Sequence, residues 1–94
     1  MTKYEATYIV DPNLAEDVHN GLLDRLSAVV SDNGGSVIDV KNMGRRRFTH
    51  EIKNKNEGIY ICMRFDASPA AEAELARQIK LAEEVFRGMI IRLN

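Results

Sequence analysis

The chain has 94 residues, 45% of them hydrophobic and 29% charged, with 13 Lys and Arg against 14 Asp and Glu. That length and composition suit one folded domain spanning residues 1–94 and exclude a second core or a disordered chain. A net charge of −1 excludes attraction of the whole molecule to nucleic acid or membrane, so an electrostatic partner must be recognised by a patch.

The N-terminal "KYEATYIVD" alternates, with Tyr4, Ala6, Tyr8 and Val10 on one face and Lys3, Glu5, Thr7 and, less neatly, Ile9 on the other. This predicts a strand with one buried side. "DPN" stops it, and Asn13 with Glu16 reads as a capping box opening a helix over about residues 14–33. Leu14, Val18, Leu22, Leu26 and Val29 form its apolar stripe. Gly34-Gly35 ends it, because glycine takes the left-handed conformation cheaply.

"SVIDVKNMGRRRFTHEI" predicts a long second strand, with a bulge or bend at Gly44 and with Phe48 and Ile52 keeping the phase of Ile38 and Val40. "KNKNEG" predicts a hairpin loop. In "GIYICMRFDA", Ile59, Ile61, Met63 and Phe65 share one face, and Tyr60, Cys62, Arg64 and Asp66 the other. Ser68-Pro69 opens a second helix, striped by Leu75, Ile79 and Ala82 and ending near residue 82. "VFRGMIIRL" closes as a fourth strand. The order β-α-β-β-α-β predicts an α+β, ferredoxin-like split fold: a four-stranded antiparallel sheet with both helices on one face. The strands at 3–10 and 58–67 are expected at the centre. The other sheet face is left open, with Tyr60 and Ile90 expected there beside Arg92 as a partner-binding surface.

No catalytic constellation is legible. His19 and His50 lie on different elements, and the single Cys62 gives no metal-binding pair and no internal disulfide. "NGGS" follows a helix, whereas a phosphate loop precedes one. No metal, cofactor or small-molecule substrate is expected. There is no run of eighteen apolar residues for a membrane span, and "MTKYEATYIVDPN" lacks a signal-peptide block, so a cytoplasmic location is expected.

The charge pattern is more informative. Residues 1–40 hold two bases and seven acids, whereas "KNMGRRRFTHEIKNKNEG" at 41–58 holds six bases and two acids, a local charge of +4. A solvated edge strand, guarded by charge against aggregation, would account for this. A phosphate-binding surface would account for it too, and for the choice of three consecutive arginines, Arg45, Arg46 and Arg47, whose forks suit phosphate oxygens. Phe48 and His50 supply flat rings beside them. Lys53 and Lys55 extend the patch along the loop, and Lys3, Arg87 and Arg92 on other strands are candidates for the same region.

The segments "YEATYIVDPNL", "MGRRRFTHEIKNKNEGIYICMRF" and "VFRGMIIRL" resemble, in order and spacing, the bacterial small-subunit ribosomal protein six family across essentially the whole chain. The middle segment is similar to that family's Gly-x-Arg pattern, which places Arg46 at the patterned arginine. Thr49, His50 and Glu51 stand where the family usually has Ala, Tyr and often Pro. The resemblance implies a structural, non-enzymatic component of the small ribosomal subunit. It implies binding to 16S ribosomal RNA in the central platform region, together with small-subunit ribosomal protein eighteen. Many relatives carry a C-terminal extension that adds to the partner surface, so a chain ending at Asn94 is expected to make no such contact. The alternative on the same topology is an RNA-recognition motif, which would need exposed aromatics on the third strand. There the apolar phase takes Ile61, Met63 and Phe65 and leaves only Tyr60.

Overall fold

The computed structural model describes residues 1–93. Its elements run β1 (Thr2–Val10), α1 (Glu16–Asp32), β2 (Ser36–Ile52), β3 (Lys55–Ala67), α2 (Pro69–Leu81) and β4 (Val85–Arg92). The sheet order is β2-β3-β1-β4, with every neighbouring pair antiparallel. The expected central strands are therefore central, and β2 and β4 are the edges.

One sheet face meets both helices. β1 contributes Tyr4, Ala6, Tyr8 and Val10 to it, and β3 contributes Ile61, Met63 and Phe65, all buried. From α1 come Leu22, Leu26 and Val30, and from α2 Ala71, Leu75 and Ile79. The α1 stripe is rotated from the expected one. Val30 is fully buried, Val29 is only partly buried against the core, and Val18 is exposed.

The helix ends follow local chemistry with one correction. Asn13 and Glu16 form no capping box. Asp11 Oδ1 instead accepts from the Asn13 backbone N–H at 2.8 Å, a tight Asx turn, and the N-cap is Ala15 without a side-chain bond. The C-terminus of α1 does use glycine. Gly34 sits at φ +84°, its N–H donates to Ser31 O, and the Gly35 N–H donates to Val30 O, which together make a Schellman motif. Ser68 caps α2 as expected, accepting from the Ala71 N–H at 3.2 Å, with Pro69 in the first turn.

Ile90 is not on the open face. It pairs with Ala6, whose side chain faces the helices, and packs against the core half-buried. Arg92 shares that phase through its pairing with Tyr4, so it does not stand beside Tyr60 either. The open-face residues of β4 are Arg87, Met89 and Ile91, opposite Ile9, Thr7 and Glu5. The cause is a register shift between Ile9 and Val10, where β4 inserts the extra residue Phe86.

Two substitutions test the core. Leu26 is 2% exposed, and Leu26→Ala is expected to cost about 2–5 kcal/mol in urea unfolding, as buried large-to-small changes do. An unchanged midpoint would remove it from the core. The Tyr8 hydroxyl is buried with no hydrogen-bond partner among the described residues, and burial pushes its pKa up to about 12. Because an unpaired buried hydroxyl is costly, Tyr8→Phe is expected to leave stability unchanged or raise it by about 1 kcal/mol. A drop of more than about 1 kcal/mol in the same unfolding assay would mean that the hydroxyl is satisfied.

Candidate nucleic-acid interface

β2 is irregular in three places, and these decide where its charges go. Its register against β3 shifts between Val37 and Asp39, between Asn42 and Gly44, and between Arg47 and Ile52. Gly44 adopts φ +89°, and its N–H is held by Asn42 Oδ1 at 2.8 Å. Before this bulge, Val40 and Asn42 lie opposite Met63 and Ile61, on the helix side. After it, Gly44 and Arg46 lie opposite Tyr60 and Gly58, on the open side. One extra residue has exchanged the faces. Phe48 therefore does not keep the phase of Val40, as the sequence pattern suggests. It lies on the open face with its ring 6.3 Å from that of Tyr60.

The third irregularity bends the hairpin. Four residues of β2, 48–51, face the single Asn56 between the pairs Arg47↔Glu57 and Ile52↔Lys55. The expected six-residue loop shrinks to a two-residue turn, Lys53-Asn54, with φ of 51° and 62°. Both residues left-handed is the type I′ geometry that matches strand twist. The bent tip crosses the end of β1. Lys53 Nζ reaches the opposite edge of the sheet and donates to Val85 O at 3.1 Å. Ile52 joins Thr7, Ile9, Tyr60, Arg87 and Met89 around one surface hollow.

The tip thus covers one end of the face expected to be open. Ile9 points to that face and is still only 7% exposed. Gly58 lies beneath, where a Cβ would stand 2.5 Å from Ile9 Cγ2 and 3.0 Å from Phe48 Cζ. The sequence carried a signal for this small second cluster. Ile9 breaks the polar phase of β1, and Phe48 and Ile52 are apolar inside a basic segment.

The nine candidate cations divide between two places. Arg45, Arg46, Arg47, Lys53 and Lys55 lie on the hairpin, with His50 beside them, and all except Lys53's bonded amine present exposed side chains to solvent. Arg87 joins them, because it pairs with Ile9 at the hairpin end of the sheet. Lys3 and Arg92 do not. Lys3 pairs with Asp66 and Arg92 with Tyr4, six residues along β1 from Ile9 in the case of Lys3, or roughly 20 Å at strand rise.

Within the hairpin the arginines differ. Arg45 Nε is 2.9 Å from Glu57 Oε1, an exposed ion pair. The Arg46 guanidinium lies 5.6 Å from the Tyr60 ring centroid, which orients the fork. Arg47 is exposed. Elsewhere on the open face charge cancels. Arg64 Nε donates to Asp39 Oδ1 at 3.0 Å, and that hydrogen bond holds the Asp39 carboxyl below its ordinary range. Cys62 is half-buried beside Glu5, with its thiol pushed up by burial first and by Glu5 second. No group of three or more His, Cys, Asp or Glu that could hold a metal is found among the described residues.

A sequence profile described as ribosomal protein S6 matches residues 3–92. The chain is 40% identical over 92 residues to the small ribosomal subunit protein bS6 of Exiguobacterium sibiricum, covering 98% of this chain and 97% of that one. It is 41% identical over 94 residues to bS6 of Alkaliphilus oremlandii, covering 100% and 99%. Its fold is similar to the crystal structure of 30S ribosomal protein S6 from Thermotoga maritima, with a TM-score of 0.88 and 29% identity over 98% of this chain and 87% of that one.

The packing beneath the hairpin is directly testable. Gly58→Ala forces Phe48 and Ile9 apart, and such overpacking is expected to cost about 1–3 kcal/mol. Amides of residues 45–57 should then exchange with solvent faster while those of α1 hold. Unchanged hairpin exchange would show that Phe48 does not pack over Gly58.

Proposed function

The chain belongs to the ribosomal protein S6 family, and from that membership we propose that it is a structural, non-enzymatic constituent of the small ribosomal subunit in the cytoplasm, whose basic hairpin faces 16S ribosomal RNA. The observation that supports the RNA-facing part is the convergence of Arg46, Arg47, His50, Lys55 and Arg87 at one end of the sheet, on a molecule of net charge −1. Phosphate contacts of this kind position a protein on RNA without reading its sequence. Arg46, held over Tyr60, presents a pre-oriented fork and is the strongest single candidate.

Small-subunit ribosomal protein eighteen is the proposed protein partner. The rest of the open face supports such a contact, since Met43, Met89 and Ile91 are 46%, 64% and 47% exposed there. Tyr60 belongs to that surface. Ile90 does not face it, and contributes to a partner surface only from the β4 edge. An RNA-recognition-motif mode is disfavoured by Tyr60 itself. Its ring is half-buried, under Arg46 and beside Phe48, so it offers no bare platform for stacking a base.

Changing Arg45, Arg46 and Arg47 together to Gln tests the reading. Folding should be nearly intact, because an exposed ion pair and an exposed cation–π interaction contribute about 1 kcal/mol or less each. Binding to the central RNA domain, measured with protein eighteen present, should weaken. For every arginine that bridges to a phosphate, its replacement should flatten the slope of log affinity against log salt by about 0.7–0.9. Equal affinities and parallel slopes would return the three arginines to the role of solvating a hairpin.

A further inference from the structure

A second basic feature lies around the corner from the hairpin. β4 pairs only with β1 and is a sheet edge, and a cleft of about 450 Å³ opens between it and the last turns of α2. Its wall is apolar, from Ile79, Phe86 and Ile90, with the basic residues Lys53 and Lys80 beside it and Arg87, which pairs with Ile9 on the open face, at its border. No Asp or Glu lines it among the described residues. α2 seats closely on Gly88, whose missing Cβ would run into Ile79 Cγ2, and both residues line the cleft.

We propose that this cleft is a binding site for one unstacked nucleotide of the RNA, with its phosphate at Lys53 and Lys80 and its base against the apolar wall. The inference rests on the RNA-facing reading of the hairpin and extends it to a defined pocket. Four observations support a nucleotide. The charge is complementary to a phosphate, with two lysines and, among the described residues, no carboxylate. The volume falls in the roughly 300–1,000 Å³ range of small-ligand sites, and the cleft is one compartment rather than the row of small pockets that suits an added peptide strand. The cleft is also continuous with the hairpin through Lys53. That ammonium spends one of its three donors on Val85 O, which fixes it at the cleft with two donors left for an anion. The unpaired backbone of β4 supplies N–H and C=O groups for the edge of a base, and Phe86 supplies a ring.

The test is a backbone-amide NMR titration of the full chain with uridine and adenosine 5′-monophosphates. Inorganic phosphate and a tetraglutamate peptide are run in parallel. Either nucleotide should saturably shift the amides of residues 76–80 and 86–90, and should do so at several-fold lower concentration than phosphate. Lys80→Glu, at an exposed helix position, should weaken nucleotide binding about threefold to tenfold with the spectrum otherwise folded. Phosphate matching both nucleotides would leave only an anion site, and a response to the peptide alone would make the cleft a protein-docking edge. Either result, or no shift at all, overturns the proposal. Its failure is separable from that of the hairpin reading, which is decided by the salt slopes of the arginine variant. Absence of nucleotide binding with those slopes changed as expected removes only the cleft.

Discussion

A β-strand sends alternate side chains to opposite faces, and a single inserted residue reverses the assignment of everything after it. On β2 that insertion is at Gly44, and the surface chemistry depends on it. With Arg46 and Phe48 in the phase of Val40, an arginine and a ring would compete for the helix-side core, and Tyr60 would stand bare. With the bulge, Arg46 and Phe48 meet Tyr60 on the open face. Glycine suits the place because φ +89° is costly for a residue with a Cβ.

The same strand explains how a chain of net charge −1 presents a positive surface. Ion pairs on the body cancel one another: Arg25 with Glu84 at 2.8 Å, Arg77 with Glu74 at 2.7 Å, and Arg64 with Asp39. The hairpin retains most of its charge, with Arg45–Glu57 as its ion pair. Local field rather than net charge governs encounter with a polyanion, and at physiological salt it extends about 8 Å. A patch confined to one end of the sheet therefore leaves the opposite end, where Lys3 and Arg92 lie, electrostatically separate.

The fold also divides labour between its two sheet faces. The helix side is a continuous apolar core that includes Tyr8, Phe65, Leu22, Leu26 and Leu75, each 2% exposed or less. The open side holds a small cluster of Ile9, Phe48 and Ile52 under the hairpin, and beyond it a mixed surface of Met43, Met89 and Ile91 between charged pairs. Exposed apolar groups on an uncovered face are the usual mark of a partner surface. A position inside a multi-component particle gives such groups a place to be buried.

Most of the fold was legible in the residues, because periodicity is a local property. Alternation marked β1 and β3, three- and four-residue spacing marked the helices, and Ser68-Pro69 and Gly34-Gly35 marked ends that the backbone then uses. The charge of the hairpin was equally legible, being a count. Local patterns could not decide events that depend on how strands meet. The register shift at Gly44 that turns Phe48 outward, and the one between Ile9 and Val10 that turns Ile90 inward, exist only against a neighbouring strand. The reach of Lys53 to Val85, 32 residues away, exists only once β4 lies beside β1. Sequence determined which residues are apolar, charged or free to bend. The tertiary structure decided which of them share a surface, because side-chain direction in a sheet is set by pairing register and one inserted residue reverses it.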